Sequence, residues 1–108
     1  GAPAAPRAPR VVALSGRARP GAVVRLRYRL LGRGESTREQ LVVRAGRRVV
    51  ARLLTGAGPA RSDLEYSVRW RVPRSVSGAR ALRFCVTTRV VAGPGGAPSC
   101  ALLRLLRP

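Results

Sequence analysis

Residues 22–31 read Ala-Val-Val-Arg-Leu-Arg-Tyr-Arg-Leu-Leu, and residues 65–72 read Glu-Tyr-Ser-Val-Arg-Trp-Arg-Val. Apolar and polar side chains alternate in both with a period of two, the spacing of a strand that buries one face. In the first stretch Val24, Leu26, Tyr28 and Leu30 fall on one side, and Val23, Arg25, Arg27 and Arg29 on the other. In the second, Tyr66, Val68, Trp70 and Val72 face in, while Ser67, Arg69 and Arg71 face out. Working outward, the same signal predicts strands over 11–14, 37–44, 48–55, 79–91 and 99–106. Turn residues punctuate them: Arg19-Pro20-Gly21, Gly32-Arg33-Gly34, Ala45-Gly46, a Gly/Pro-rich loop from 56 to 59, Pro73, and Gly93-Pro94-Gly95-Gly96. About seven short strands at regular spacing make an all-β antiparallel sandwich. Helix is supported nowhere; the C-terminal Leu-Leu-Arg-Leu-Leu-Arg is too short to stand alone as one.

Residues 1–10, Gly-Ala-Pro-Ala-Ala-Pro-Arg-Ala-Pro-Arg, stand apart as an extended Pro/Arg-rich arm ahead of a domain at 11–108. Pro3, Pro6 and Pro9 recur every third residue, as do Arg7 and Arg10, matching the three-residue turn of polyproline II. The segment reads either as a linker or leader, or as an arm that docks on a neighbour. Its prolines lack N–H donors, so strand pairing would start at Arg10 and continue through Val11 and Val12.

Composition limits what this domain can do. Of 108 residues, 22 are basic, all of them arginine, and four are acidic, for a net charge of +18. Charge of this size destabilises the compact state by self-repulsion, and points to an anionic partner. The absence of Lys, Asn, Ile, Met and His is what a GC-rich genome writes, but codon bias does not account for so few carboxylates. Without His or Lys, a Ser or Cys nucleophile has no ordinary base, so an enzyme is not expected. The carboxylates are Glu35, Glu39, Asp63 and Glu65. Asp63 and Glu65, at i, i+2, could share a strand face as an acid/base pair, but answering nearby arginines is the simpler role for them. No cofactor, metal or small-molecule substrate is expected. The chain has no apolar run of about 18 residues that would span a membrane.

The stretches at 21–30, at 66–73 (Tyr-Ser-Val-Arg-Trp-Arg-Val-Pro), at 82–87 (Leu-Arg-Phe-Cys-Val-Thr) and at 99–101 (Ser-Cys-Ala) together resemble bacterial extracellular immunoglobulin-like domains. The resemblance covers about residues 10–106. It implies an immunoglobulin-like sandwich serving as a spacer or adhesive module of a secreted or cell-surface protein. Some such modules bind calcium through acidic loops. Here the loop after the second strand offers Glu35 alone, too few oxygen ligands for a hard cation.

The two cysteines, Cys85 and Cys100, also depart from the antibody pattern, in which the bridge joins the two sheets. Cys85 has the parity opposite to Phe84 and Val86, and a hairpin folded about Ala92-Gly93 brings it opposite Cys100. An outward cross-strand disulfide is therefore predicted, worth roughly 3 kcal/mol by loop-closure entropy. Its alternative is two free thiols. A disulfide implies an oxidising compartment.

In an immunoglobulin-like sandwich the second and fifth strands are neighbours, which would set Arg25, Arg27 and Arg29 beside Arg69 and Arg71 on one exposed face. Such a face is either a solvated surface that repels aggregation or a contact, and for a contact two partner classes follow. One is the chain itself or an acidic protein subunit, joined through the arm and the arginine face, with filaments as an outcome of head-to-tail strand addition. The other is an anionic polymer or surface: extracellular DNA, acidic polysaccharide or anionic lipid. The four aromatics fall on inward parities, leaving none for stacking on single-stranded bases, and no recognition helix is visible. DNA binding would then be backbone-driven and not sequence-specific.

Overall fold

A computed structural model of the chain describes residues 8–32, 36–61, 64–91, 93 and 95–107. Its strands are β1 (Arg10–Leu14), β2 (Gly16–Ala18), β3 (Val23–Leu31), β4 (Ser36–Ala45), β5 (Arg48–Leu54), β6 (Gly58–Pro59), β7 (Glu65–Arg71), β8 (Ala81–Val90) and β9 (Ser99–Leu105). They form two packed sheets, one ordered β1-β3-β7 and the other β2-β9-β8-β4-β5, with β6 pairing one end of β4. Apart from a 3₁₀ turn at Arg74–Val76, the described residues contain no helix, and none could cross a membrane.

The alternation read from the sequence is the alternation that packs. Leu26, Tyr28 and Leu30 of β3 meet Leu41 and Val43 of β4, Leu82, Phe84 and Val86 of β8, and Leu103 of β9 in one core. Tyr28 and Phe84 are its largest fully buried side chains. Trp70, expected at the centre, is only half-buried, as are Tyr66 and Val68. The reason is position: β7 is the outer strand of the narrower sheet, with no neighbour beyond it to close over its inner face. The ring of Tyr66 still stacks on Tyr28, its partner in the β3–β7 register, with centroids 5.7 Å apart.

The strands number nine rather than the expected seven. The two additions, β2 and β6, have three and two residues, too few to show a period. Nor is the sandwich wholly antiparallel, because β2 runs parallel to β9. The chain leaves the first sheet at the end of β1, passes Ser15, and joins the edge of the second as β2. A hydrogen bond from the Ala13 amide to Ser99 Oγ (3.0 Å) pins this crossing. In the lettering of immunoglobulin-type sandwiches, β1, β3 and β7 take the order A-B-E, and β9, β8, β4 and β5 the order G-F-C-C′.

Gly21 has φ 83°, left-handed backbone that glycine adopts without strain, and its amide donates to Val72 O at 2.7 Å. That bond ties the entry of β3 to the exit of β7. Within the larger sheet, Cys85 of β8 faces Cys100 of β9 directly, and the two are bonded as a half-buried, outward disulfide.

Candidate anionic-partner interface

Strands β3 and β7 are neighbours, and their register sets Arg25 opposite Arg69, Arg27 opposite Ser67, Arg29 opposite Glu65, and Arg71 opposite Val23. The five arginines singled out from the sequence thus share the outer face of the three-stranded sheet. Arg27 bonds Glu65 at 3.4 Å, the one ion pair among the described residues, and reaches Ser15 O at 3.1 Å. Arg71 donates to Gly21 O at 2.8 Å. The side chains of Arg25, Arg29 and Arg69 make no hydrogen bond among the described residues. Glu65 thereby answers an arginine; Asp63, its proposed acid/base companion, lies outside the described residues, as does Glu35.

Of the arm, Pro3, Pro6 and Arg7 lie outside the described residues, and Pro9 is irregular. Arg10, Val11 and Val12 open β1 and pair within the chain with Leu31, Leu30 and Arg29. The side chain of Val11 is buried in the core, while Arg10 joins the arginine face.

A second face went unread in the sequence, and it is the more extreme. On the outside of the six-stranded sheet, Arg38 of β4 stands opposite Arg89 of β8, and Arg44 opposite Arg83. Arg17 of β2 stands beside Arg104 of β9, and Arg52 of β5 lies across from Val42. Among the described residues this face carries no carboxylate: Glu39, on β4, points the other way and is buried, and Glu65 is on the opposite sheet. A groove of about 720 Å³ at its corner is lined by Arg17, Arg80 and Arg104 together with Ser15, Gly16, Ala81 and Leu102. The signal was partly present, since Arg83 and Arg89 had the outward parity of β8. What could not be read was that β4 would pair with β8 in a register that aligns like charges.

Directly opposed like charges in a sheet are destabilising. The described residues hold four such pairs: Arg25 with Arg69, Arg38 with Arg89, Arg44 with Arg83, and Arg17 with Arg104. Guanidinium groups spaced along strands at about 6.8 Å, every second residue, form a lattice of forked donors suited to phosphate, sulfate or carboxylate.

The interior holds a different polar feature. Glu39 is 5% exposed and meets no arginine among the described residues; Tyr28 Oη donates to its Oε1 at 3.0 Å and Thr88 Oγ1 to its Oε2 at 3.1 Å. Its own amide donates to Thr55 Oγ1 at 2.8 Å, and Thr55 N returns a bond to Glu39 O at 3.0 Å. Burial first, then the Glu39 charge and the hydrogen bond to it, push the Tyr28 hydroxyl far above the usual phenol range. A pocket of about 190 Å³ opens beside this cluster, lined by Thr37, Thr55, Gly56, Gly58 and Tyr66 among others. The cluster ties the sheets together, β3 to β4 and β8.

The molecule is therefore a β-sandwich with arginine arrays on both outer surfaces and a carboxylate tie between its sheets. No family model, no curated protein and no solved structure matches the chain.

Proposed function

We propose that this is a non-enzymatic, immunoglobulin-like binding module of the bacterial extracellular type, and that it engages an extended anionic polymer through its outward arginines. The observation that carries the reading is the array of opposed arginine pairs on a face with no described carboxylate. Such a face is unfavourable in isolation and is relieved when an anion covers it. The Cys85–Cys100 bridge supports an oxidising, secreted or cell-surface setting.

Between forms of nucleic acid, the duplex suits the faces better than a single strand. Tyr28 and Phe84 are buried and Tyr66 and Trp70 half-buried on inner faces, so single-stranded bases find no exposed ring to stack on. Phosphate contacts fix position without reading sequence. The test is anisotropy with labelled duplexes of unrelated sequence and with a single strand of equal length. Equal affinity for the duplexes and weaker binding of the single strand are the expected results. Marked preference for one duplex sequence, or no binding to any, counts against the reading.

A second reading has its own observation. Strand β5 ends the six-stranded sheet with one edge unpaired by any main sheet neighbour, and Leu54 on it is 70% exposed. An acidic protein subunit or another copy could add a strand there. Arg48 and Arg52 on the same strand guard it against a second copy of this cationic chain. Light scattering on nuclease-treated protein separates the two: a monomer at low and high salt favours the polymer-binding reading, a salt-resistant oligomer the assembly reading.

A further inference from the structure

The two arginine arrays lie on opposite surfaces of the sandwich, one outside β1-β3-β7 and the other outside β9-β8-β4-β5. We propose that one molecule bridges two separate DNA duplexes, one on each surface. This rests on the polymer-binding reading above and adds a valency to it.

The argument is geometric. The packed sheets of a sandwich lie about 10 Å apart, so the two faces look in opposite directions across a thin body. For one duplex to cover both it would have to reverse direction around that body. Duplex DNA has a persistence length of about 150 bp, and a reversal over a few helical turns is far stiffer than the bends proteins ordinarily impose. Two duplexes, each lying along one face, satisfy both arrays with no bending.

Neither face depends on the other for its charge. The three-stranded face has Arg25 opposite Arg69, flanked by Arg29 and Arg71, with Glu65 engaged by Arg27. The six-stranded face has Arg38 opposite Arg89 and Arg44 opposite Arg83. Every one of these strands belongs to a sheet locked to the shared core, so the two arrays are held at a fixed mutual orientation rather than on a tether. A duplex held on one face therefore presents the other face to a second duplex, whose own charge is screened within about 10 Å at ordinary ionic strength.

Capture of a dye-labelled duplex by bead-bound duplex, with the nuclease-treated full chain as the only link, tests this. Three proteins are compared: the parent, the variant R25S/R29S/R69S and the variant R38S/R83S/R89S. Binding of a single free duplex is measured alongside. The parent is expected to capture. Each variant should still bind one duplex, weakened by about tenfold or less, yet lose capture by at least about tenfold, because losing one of two sites removes the bivalent gain. Melting curves show whether each variant is folded, and a rise in Tm over the parent is expected for both.

A parent that binds duplex but captures none overturns the bridging proposal and leaves the binding reading intact. So does a single-face variant that captures as well as the parent, whereas a stable protein oligomer in the absence of DNA overturns bridging by one molecule and favours the assembly reading. A parent that binds heparin and no duplex overturns the bridging proposal and the choice of DNA, and assigns the faces to a sulfated polysaccharide.

Discussion

Glu39 is the residue whose surroundings contradict its chemistry most: a buried carboxylate, inside a chain of net charge +18, whose hydrogen-bond donors among the described residues are hydroxyls. Its oxygens are hydrogen-bonded, so burial is tolerated, and the bonds reach from one sheet to the other. Tyr28→Phe leaves the carboxylate one donor short and should cost about 1–3 kcal/mol, read as a lower midpoint in urea unfolding. The same pair sets an alkaline limit. The Tyr28 hydroxyl is raised above its ordinary value of 10.0, so the folded protein keeps its proton where the unfolded chain gives it up. Its contribution is intact below pH 10 and is lost as pH rises above that value. Unfolding followed across this range should steepen with pH in the parent, and less so in Tyr28→Phe; identical slopes would remove Tyr28 as the cause. The inward parity of Glu39 with Leu41 and Val43 was plain in the sequence. That Tyr28 and Thr88 would supply its donors was not, because Tyr28 reaches it from the facing sheet and Thr88 from a strand 49 residues away, contacts that only the folded packing creates.

At the scale of elements, the β8–β9 hairpin shows what local pattern can and cannot specify. Parity on β8 put Cys85 outward, and a turn at the following glycines put Cys100 across from it, as the register confirms. Cys85→Ser with Cys100→Ser should lower stability by about 3 kcal/mol. For a domain of this size that is roughly 15 °C in Tm, and a change of only a degree or two would mean that the bridge constrains little. The neighbouring β4–β8 pairing is the opposite case. Each strand was legible by its alternation, but their register arises from long-range packing, and with it the opposition of Arg38 to Arg89 and of Arg44 to Arg83. Strands β2 and β6 escaped notice for a simpler reason, since pieces of two or three residues carry no period. The opposed arginines make a prediction of unusual sign for a double substitution. Arg44→Ser with Arg83→Ser should raise Tm at low salt, by an amount equivalent to about 0.2–1 kcal/mol, and the gain should shrink as salt screens the parent. A fall in Tm would show that their stems pack rather than merely repel.

The whole molecule combines a core that closes well with a surface that does not neutralise itself. Bringing one duplex around both faces would cost on the order of 20 kcal/mol, since elastic energy grows as the square of the bend angle. That is more than phosphate contacts on a domain this small return, which is why the two faces act as two sites. The sign and size of the charge were evident from composition, and the three-stranded face followed from strand order. Its counterpart on the larger sheet emerged only once β2, β4, β8 and β9 stood side by side. The central claim, that these arginines bind a polymer of phosphates, is tested most directly by the salt dependence of duplex binding. For contacts with about six phosphates, log K should fall against log salt with a slope of roughly −5, and each arginine-to-serine change that removes a phosphate contact should reduce the slope by about one. A flat salt response, or a slope indifferent to the combined loss of Arg25, Arg29 and Arg69 from one face and Arg38, Arg83 and Arg89 from the other, would contradict it.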